Sequence, residues 1–436
     1  MLSEALVGAY ETNPSLQIAR ASLAATDESV ASALSNLRPQ VEIGGSATSS
    51  ENYTTNTDTE SWTLGVTVDQ TIYAGGQNLL GFEAARLSVF SDRQELLDTE
   101  QDILFAAVQA FMDVRRDAEI VRLSQNNVRV LNEQLNAAND RFEVGDITRT
   151  DVSQTEARRA AARSNLVAAQ GNLRVSQETY RAVIGEYPTA PLQPTNLPRL
   201  PANADAAEQI AINTHPRVLA AQFDLSAAEV SLSSAQRAKR PSITGSIAAQ
   251  RADSGSTLTT NPTNSASISV QGSVPLYKGD ALNSDIRAAV ANLNASKFNL
   301  QNASLITRQG VRSAFANWQA AVAGITSSDE QVRASRIAFD GVSEEASVGA
   351  RTTLDVLDAE QELRDAESAS ITARRDEVVA RFSVLSEMGL LTAEKLGLDV
   401  ALFNPEENFN AVATGSSALG ARREQLLDRI LKRSGN

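Results

Sequence analysis

The sequence of 436 residues contains no cysteine and only one histidine. These absences exclude a disulfide framework, a thiolate metal site and a cysteine nucleophile. They also exclude a histidine-rich metal site, and no carboxylate pair stands beside a serine or the histidine in a catalytic pattern. We therefore predict that the protein is not an enzyme, that it binds no metal and that it needs no cofactor.

Aromatic residues make up only 5% of the chain, and basic residues are outnumbered, which leaves a formal net charge of −14. A nucleic-acid partner needs a basic face, so none is expected. Alanine, serine, leucine and valine are abundant instead. This composition is typical of long helices that pack closely through small side chains.

Long apolar runs are also missing. No run reaches the roughly 18 residues that a membrane-spanning helix needs. The first residues, Met1 to Glu4, lack the basic and apolar regions of a signal peptide. Taken alone, these absences favour a cytosolic protein. Because the rest of the chain has the pattern of a secreted protein, we expect that a signal peptide has been removed and that Met1 was added.

The sequence repeats itself after about 200 residues, which indicates one duplicated supersecondary unit. Asn13-Pro14 returns as His215-Pro216, and Val144-Gly145 returns as Val348-Gly349. The histidine stands before a helix start and is interpreted as a capping-region residue, not a ligand. The predicted organisation is a first repeat at 1–187, a proline-rich extended connector at 188–202, a second repeat at 203–400 and a polar tail at 401–436, with a short basic amphipathic helix over 417–433.

Four segments alternate apolar and polar side chains, which predicts β-strands at about 40–50, 62–73, 242–252 and 266–277. Their second face carries small uncharged side chains where a soluble sheet would carry more Lys, Glu and Arg. This pattern favours a transmembrane barrel that is apolar outside and polar inside, with a polar-faced soluble sheet as the alternative. The residues predicted to face lipid are Trp62, Leu64, Val66, Val68, Ile243, Ile247, Ile268 and Val270.

Each strand pair is followed by a long stretch in which apolar or small residues recur at alternating steps of three and four. This is a coiled-coil period. It predicts two helical hairpins, over 77–184 and 280–388, and the first helix of each would be on the order of 100 Å long. The hairpins turn at Val144-Gly145 and at Val348-Gly349.

The four predicted strands are too few to close a barrel, for which about eight is the practical minimum. An open sheet edge cannot lie in lipid, because its backbone groups would have no hydrogen-bond partners. We therefore predict a mixed α and β fold, mainly α, in which a homotrimer shares a twelve-stranded β-barrel and a twelve-helix α-barrel.

Three segments carry a resemblance to the TolC family: Arg141 to Gly145, Val274 to Gly279 and Val348 to Asp358. The resemblance covers nearly the whole chain, to about residue 400. It implies a passive exit duct in the outer membrane of a Gram-negative bacterium, with a large periplasmic part. It also implies two partners, a periplasmic adaptor and an inner-membrane pump or ABC transporter. Because the sequence has no N-terminal cysteine, it resembles the non-lipidated branch of the family more than the lipoprotein branch.

The resemblance also implies roles for residues near the two turns. Asp355 and Asp358 would form carboxylate rings at a cation-selective aperture, a role for which a solvated helix face is the alternative. Ala346 stands where well-known members carry a tyrosine that bonds across to the counterpart of Asp151, so we expect a different latch here. The implied latch residues are Thr150, Asp151, Arg351 and Arg374. The implied adaptor-docking residues are Val144, Gly145, Val348 and Gly349, while Asp146 and Ala350 depart from the common family residues.

The sequence leaves a second hypothesis from another class, a soluble coiled-coil structural or adaptor protein. That hypothesis predicts no pore activity and no assembly in a membrane. The alternating strands with uncharged inner faces count against it. The transported substrate, the choice between drug efflux and protein secretion, and the identity of the adaptor are not indicated by any motif.

Overall fold

The computed structural model describes residues 1–54, 57–189, 197–255 and 262–413. The first repeat contains two helices, two strands and two further helices. Their bounds are α1 (Leu2–Thr12), α2 (Pro14–Ser35), β1 (Gln40–Asn52), β2 (Thr57–Ala74), α3 (Gln77–Glu143) and α4 (Arg149–Ile184).

The same order of elements occurs a second time. The bounds are α5 (Ala204–Thr214), α6 (Pro216–Arg237), β3 (Ser242–Gly255), β4 (Thr263–Ser273), α7 (Ala281–Ser347) and α8 (Thr353–Glu387), followed by α9 (Ala393–Leu396) and α10 (Pro405–Ala413). The two long helices α3 and α7 are each 67 residues long. The chain is therefore mainly helical with a duplicated strand pair and helical hairpin, as predicted.

One compact unit consists of Met1–Ala19, Glu95–Val218 and Ala303–Phe403. Small and branched side chains form its core, as the low aromatic content indicated. One buried cluster joins α5, α7 and α8, and its members are Ala207, Ala211, Val311, Ala314, Phe315, Val384 and Met388. A second, smaller cluster joins α3, α4 and α8 and consists of Leu131, Ala162 and Leu357. In the described residues, no helix is both long and apolar enough to cross a membrane.

The other unit consists, among the described residues, of Arg20–Gln94, Leu219–Asn302 and residues 404–413. It contains one antiparallel sheet with the strand order β1-β2-β3-β4. The central pairing, between β2 and β3, joins a strand of the first repeat to a strand of the second. Its register places Val68 opposite Ile247, and an irregularity lies between Thr71 and Tyr73.

One predicted strand is too long. β4 ends at Ser273, short of the predicted end at residue 277. Pro275 lacks a backbone N–H and so cannot donate to the strand ladder. The chain then turns, with positive φ at Gly279 and Asp280, to start α7. Two other predictions, the path at Pro191 and Pro194 in the connector and the helix over 417–433, lie outside the described residues.

Candidate functional site

The turn between α3 and α4 is a Schellman motif, a helix end closed by a left-handed residue. The N–H of Gly145 donates to the carbonyl of Phe142 at 2.9 Å, and the N–H of Asp146 donates to the carbonyl of Arg141 at 2.9 Å. Gly145 has a φ of 79°, which a side chain disfavours. We call this turn tip 1.

The turn between α7 and α8, tip 2, has the same geometry. Gly349 has a φ of 78° and donates to the carbonyl of Ala346 at 3.1 Å, while Ala350 donates to the carbonyl of Glu345 at 2.9 Å. The valine before each glycine points away from the protein. Val144 is 80% exposed and Val348 is 78% exposed. The four predicted docking residues thus form two equivalent protruding turns.

A capping box starts the second helix of each hairpin. In α8, the Asp355 carboxylate accepts from the backbone N–H of Thr352 at 2.9 Å and from its hydroxyl at 2.8 Å. In α4, Asp151 accepts from the N–H of Thr148 at 2.9 Å and from its hydroxyl at 2.7 Å. Thr150 lies in the first turn of α4 and is exposed.

These hydrogen bonds favour the ionised carboxylates. The backbone N–H of Thr352, followed by its hydroxyl, lowers the pKa of Asp355. The hydroxyl of Thr148, followed by its backbone N–H, lowers the pKa of Asp151. Asp355 and Asp151 therefore carry negative charge over the whole physiological pH range. The first turn of each helix also favours that charge through the helix dipole.

Each tip carries an ion pair, and the two pairs have opposite order along the chain. In tip 1 the cation is on the helix, with Arg141 Nε 2.6 Å from Asp146 Oδ2. In tip 2 the anion is on the helix, with Glu345 Oε2 2.8 Å from Arg351 Nε. The predicted latch residue Arg351 is thus bound within its own hairpin.

The other predicted latch arginine also binds within the second hairpin. Arg374 of α8 lies 3.0 Å from Asp329 of α7. The Ser370 hydroxyl donates to the same carboxylate at 2.9 Å. The Ser370 hydroxyl, followed by Arg374, lowers the pKa of Asp329. These contacts hold α7 against α8.

Among the described residues, two ion pairs join the two hairpins, and both were missed from the sequence. In the first, Arg375 Nε of α8 lies 2.8 Å from Asp113 Oδ1 of α3. The second lies closer to the tips. Arg158 Nη2 of α4 lies 2.6 Å from Asp358 Oδ1 of α8. Its signal in the sequence was the seven-residue step from Asp151 to Arg158, which puts both on one face of a coiled-coil helix. That step shows a shared face, but it does not show which helix lies opposite.

The two hairpins also meet at a buried polar contact. Gln134 of α3 donates to Glu360 of α8 at 2.9 Å. Glu360 is only 6% exposed, and this burial raises the pKa of its carboxyl, although the Gln134 amide opposes the shift. A cavity of about 40 Å³ adjoins these residues and is lined by Asn127, Arg158 and Arg364 among others.

His215 is a capping-region residue, as interpreted from the sequence. It follows the last residue of α5, and its Nδ1 accepts from the backbone N–H of Arg217 at 3.2 Å. Burial lowers the pKa of His215. Across the described ranges, no group of three or more His, Asp or Glu side chains could hold a metal ion.

The strand register places all eight residues predicted to face lipid on the same face of the sheet. Val68 pairs with Val41 and Ile247, and Ile247 pairs with Ile268. Several of these side chains are strongly exposed in the single chain, including Ile268 at 79% and Val270 at 69%. Exposed apolar faces of this kind mark a surface that another molecule covers.

The opposite face carries polar and small side chains. Thr67 pairs with Glu42 and with Ala248 on this face. On the apolar face, the first charged residue towards the β3–β4 loop is Arg251, which pairs with Leu64. The segment from Ile243 to Arg251 therefore extends about 27 Å along the strand at about 3.4 Å per residue. About nine residues is the length of a tilted membrane strand.

A model of the family described as outer membrane efflux protein matches residues 5–186 and 208–389. The chain is also 36% identical over 413 residues to the outer membrane efflux protein BepC of Brucella suis biovar 1 (strain 1330), and the match covers 94% of this chain and 90% of BepC. The chain belongs to the outer membrane efflux protein family.

Two further relatives agree with this assignment. The outer membrane protein TolC of Escherichia coli (strain K12) is 24% identical over 415 residues, covering 90% of this chain and 83% of TolC. The crystal structure of the Campylobacter jejuni CmeC outer membrane channel matches with a TM-score of 0.78 at 14% identity, covering 94% of this chain and 89% of CmeC. At this identity the structural likeness shows the fold alone.

Membership of the outer membrane efflux protein family confirms the predicted resemblance, the outer-membrane location and the export function. The alternative of a soluble coiled-coil structural or adaptor protein is not supported. The family consists of channel proteins and not of enzymes. The two family matches cover the two sequence repeats, one each.

Proposed function

We propose that three copies of this chain form the exit duct of a tripartite efflux pump or a type I secretion system. The observation that carries this proposal is the exposed apolar face of a sheet that is open at both edges. β1 and β4 each pair with one strand only in the described part of the chain. Such edges need partner strands before the sheet can enter lipid, and three chains supply the strands of one barrel.

The duct narrows at carboxylate rings. Asp355 and Asp358 lie three residues apart on α8, so they share a helix face close to tip 2. In a threefold assembly they make two stacked rings of three carboxylates. Rings of aspartate attract cations and exclude anions, which makes this end of the duct a cation-selective aperture.

The closed mouth is held by contacts at the tips and along the second hairpin. Arg351–Glu345 and Arg374–Asp329 fix the shape of the second hairpin. Asp151 and Thr150 lie at the start of α4, where they can meet a neighbouring hairpin of the trimer. Ala346 is 9% exposed and has no polar side-chain atom, so it contributes no latch hydrogen bond.

The tips are the docking sites for a periplasmic adaptor, which connects the duct to an inner-membrane pump or ABC transporter. Val144 and Val348 each project from a turn whose glycine has open space around it. An adaptor with an apolar contact surface can therefore reach both the valine and the backbone of the turn. The N–H groups of Gly145, Asp146, Gly349 and Ala350 already donate to helix carbonyls.

Two measurements on the detergent-extracted protein test the duct itself. Light scattering is expected to give the mass of three chains, and planar-bilayer recording is expected to show discrete, cation-preferring channels. A monodisperse monomer without conductance contradicts the proposal. Deleting the gene in its host separates the two substrate classes, because increased drug susceptibility indicates efflux and loss of an exported protein indicates secretion.

A further inference from the structure

The Arg158–Asp358 ion pair connects the first hairpin to the second. Arg158 lies on α4 and Asp358 on α8, and the two charged atoms are 2.6 Å apart. The side chains are 40% and 57% exposed, so the pair is open to solvent on one side. Exposed pairs contribute little to global stability. They can nevertheless decide between two arrangements of similar free energy.

The contacts between the hairpins around the pair are weak enough to allow two arrangements of α4 relative to α8. A small apolar cluster, Leu131 with Ala162 and Leu357, holds α3, α4 and α8 together beside the pair. Around this cluster the junction is polar, with the Gln134–Glu360 hydrogen bond and the cavity of about 40 Å³. A cavity of this size and polarity has room for water. Close to the tips the hairpins therefore meet over a small apolar area and a polar seam, which opposes their separation weakly. The Arg375–Asp113 pair joins them farther from the tips.

Asp355, the other carboxylate of the proposed aperture, has its hydrogen-bond partners on its own hairpin, unlike Asp358. Asp355 accepts its two hydrogen bonds from Thr352 of its own helix. These hydrogen bonds are kept when α8 moves, because the donor and the acceptor both lie at the start of α8 and move together. The partner of Asp358, in contrast, lies on the other hairpin. Only Asp358 changes its partner when α8 moves relative to α4.

We propose that Asp358 has two alternating roles, as the anion that ties the hairpins together through Arg158 and as a free pore charge once the hairpins separate. The inference rests on the proposed function, in that α8 lines the aperture. In the tied state each guanidinium neutralises one carboxylate, so the aperture has the charge of the Asp355 ring. In the separated state the Asp358 ring adds its charge, and cation selectivity rises as the duct opens.

The test is single-channel recording of the full-length trimer, with conductance and the potassium-to-chloride permeability ratio as readouts. Arg158→Ala is expected to raise both, with conductance increasing by about two- to fivefold, the range that an exposed ion pair allows. Asp358→Asn is expected to raise conductance but to lower the permeability ratio. The exchange Arg158→Asp with Asp358→Arg is expected to return conductance towards the parent value. Arg163→Ala, at an exposed position five residues further along α4, is the matched control.

Each failure has a distinct meaning. Parent-like conductance in both Arg158→Ala and Arg163→Ala overturns the tie. Higher conductance in Arg158→Ala without a change in permeability ratio overturns the alternation, because the released carboxylate then does not face the ion path. If Asp355→Asn and Asp358→Asn both leave the ratio unchanged while Arg158→Ala still raises conductance, the aperture of the proposed function fails and the tie stands.

Discussion

Asp151 and Asp355 hold equivalent positions in the two repeats, and each carboxylate accepts two hydrogen bonds from the threonine three residues before it. The same local structure thus supports both a residue assigned to the latch and a residue assigned to the aperture. A substitution that removes the carboxylate also removes the N3 half of a capping box, so the N–H of the N-cap threonine loses its acceptor. Asparagine keeps a side-chain oxygen for Thr352 and is the cleaner substitution.

The first prediction concerns the aperture charge. Asp355→Asn combined with Asp358→Asn is expected to lower the potassium-to-chloride permeability ratio and to relieve block by a trivalent cation, because the rings lose their charge. Glu362→Gln, an exposed carboxylate on the same helix, is the control and should leave both unchanged. Bilayer recording with a hexamminecobalt titration measures both effects. An unchanged ratio in the double variant removes the aperture assignment.

The second prediction concerns the tip 2 ion pair. Arg351→Ser removes the contact with Glu345 and is expected to raise mean conductance, by about fivefold at most, because both side chains are exposed. Glu345→Gln should change conductance in the same direction. The difference in conductance between Arg351→Ser and the parent should shrink when the salt concentration is raised, because salt then screens the ion pair in the parent as well. Parent-like conductance in both variants would show that this pair does not hold the mouth.

The third prediction concerns the two faces of the sheet. Val68 pairs with Val41 and Ile247 on the apolar face, whereas Thr67 pairs with Glu42 and Ala248 on the polar face. Arginine on a lipid-facing position near the bilayer centre costs about 2–4 kcal/mol. Val68→Arg should therefore reduce the yield of membrane-assembled trimer strongly, and Thr67→Arg should not. Equal losses, measured by heat-modifiable gel mobility, contradict the assigned faces.

The fourth prediction concerns docking. Val348→Asp is expected to abolish transport with the cognate adaptor while leaving the yield of trimer near that of the parent, because the side chain is 78% exposed. Val348→Leu keeps an apolar side chain and should retain transport. Crosslinking of trimer to adaptor should follow the same order. Transport by Val348→Asp at the parent level would place the docking site elsewhere.

The fifth prediction concerns the buried junction. Burial raises the pKa of Glu360, so its ionisation disfavours the folded state. The stability associated with the neutral carboxyl is present below the pKa of the unfolded chain and is lost as pH rises through the folded-state pKa. Glu360→Gln keeps a hydrogen-bonding group without charge and should raise the unfolding temperature at neutral pH by about 2 °C or more.

The control for this effect is Glu362→Gln, which changes an exposed carboxylate two residues away. Thermal unfolding followed by tryptophan fluorescence at several pH values between 4 and 8 is the measurement. The difference between Glu360→Gln and the parent should vanish at the acid end of the range. A difference that is constant across pH would point to packing and not to ionisation.

The elements that the sequence predicted are those governed by local rules. Alternation of period two placed Val68 and Ile247 on one face, because successive side chains of a strand point to opposite sides. The coiled-coil period placed the long hairpins, and the glycines at 145 and 349 marked their turns because a left-handed helix end favours glycine. The end of β4 was misplaced because the alternating pattern continues past Pro275, although that residue cannot donate a strand hydrogen bond.

Partner choice over long sequence distances was decided by the tertiary structure alone. The pairing of β2 with β3 joins the two repeats, and the sequence patterns of the strands are too alike to select it. The partners of Arg374 and Arg158 were equally open, because the sequence places many carboxylates within reach of an arginine and no periodicity selects one of them. The sequence determined which side chains share a face. Only the packing of α4 against α8 brought Arg158 to Asp358, because that contact depends on how two separately formed hairpins meet.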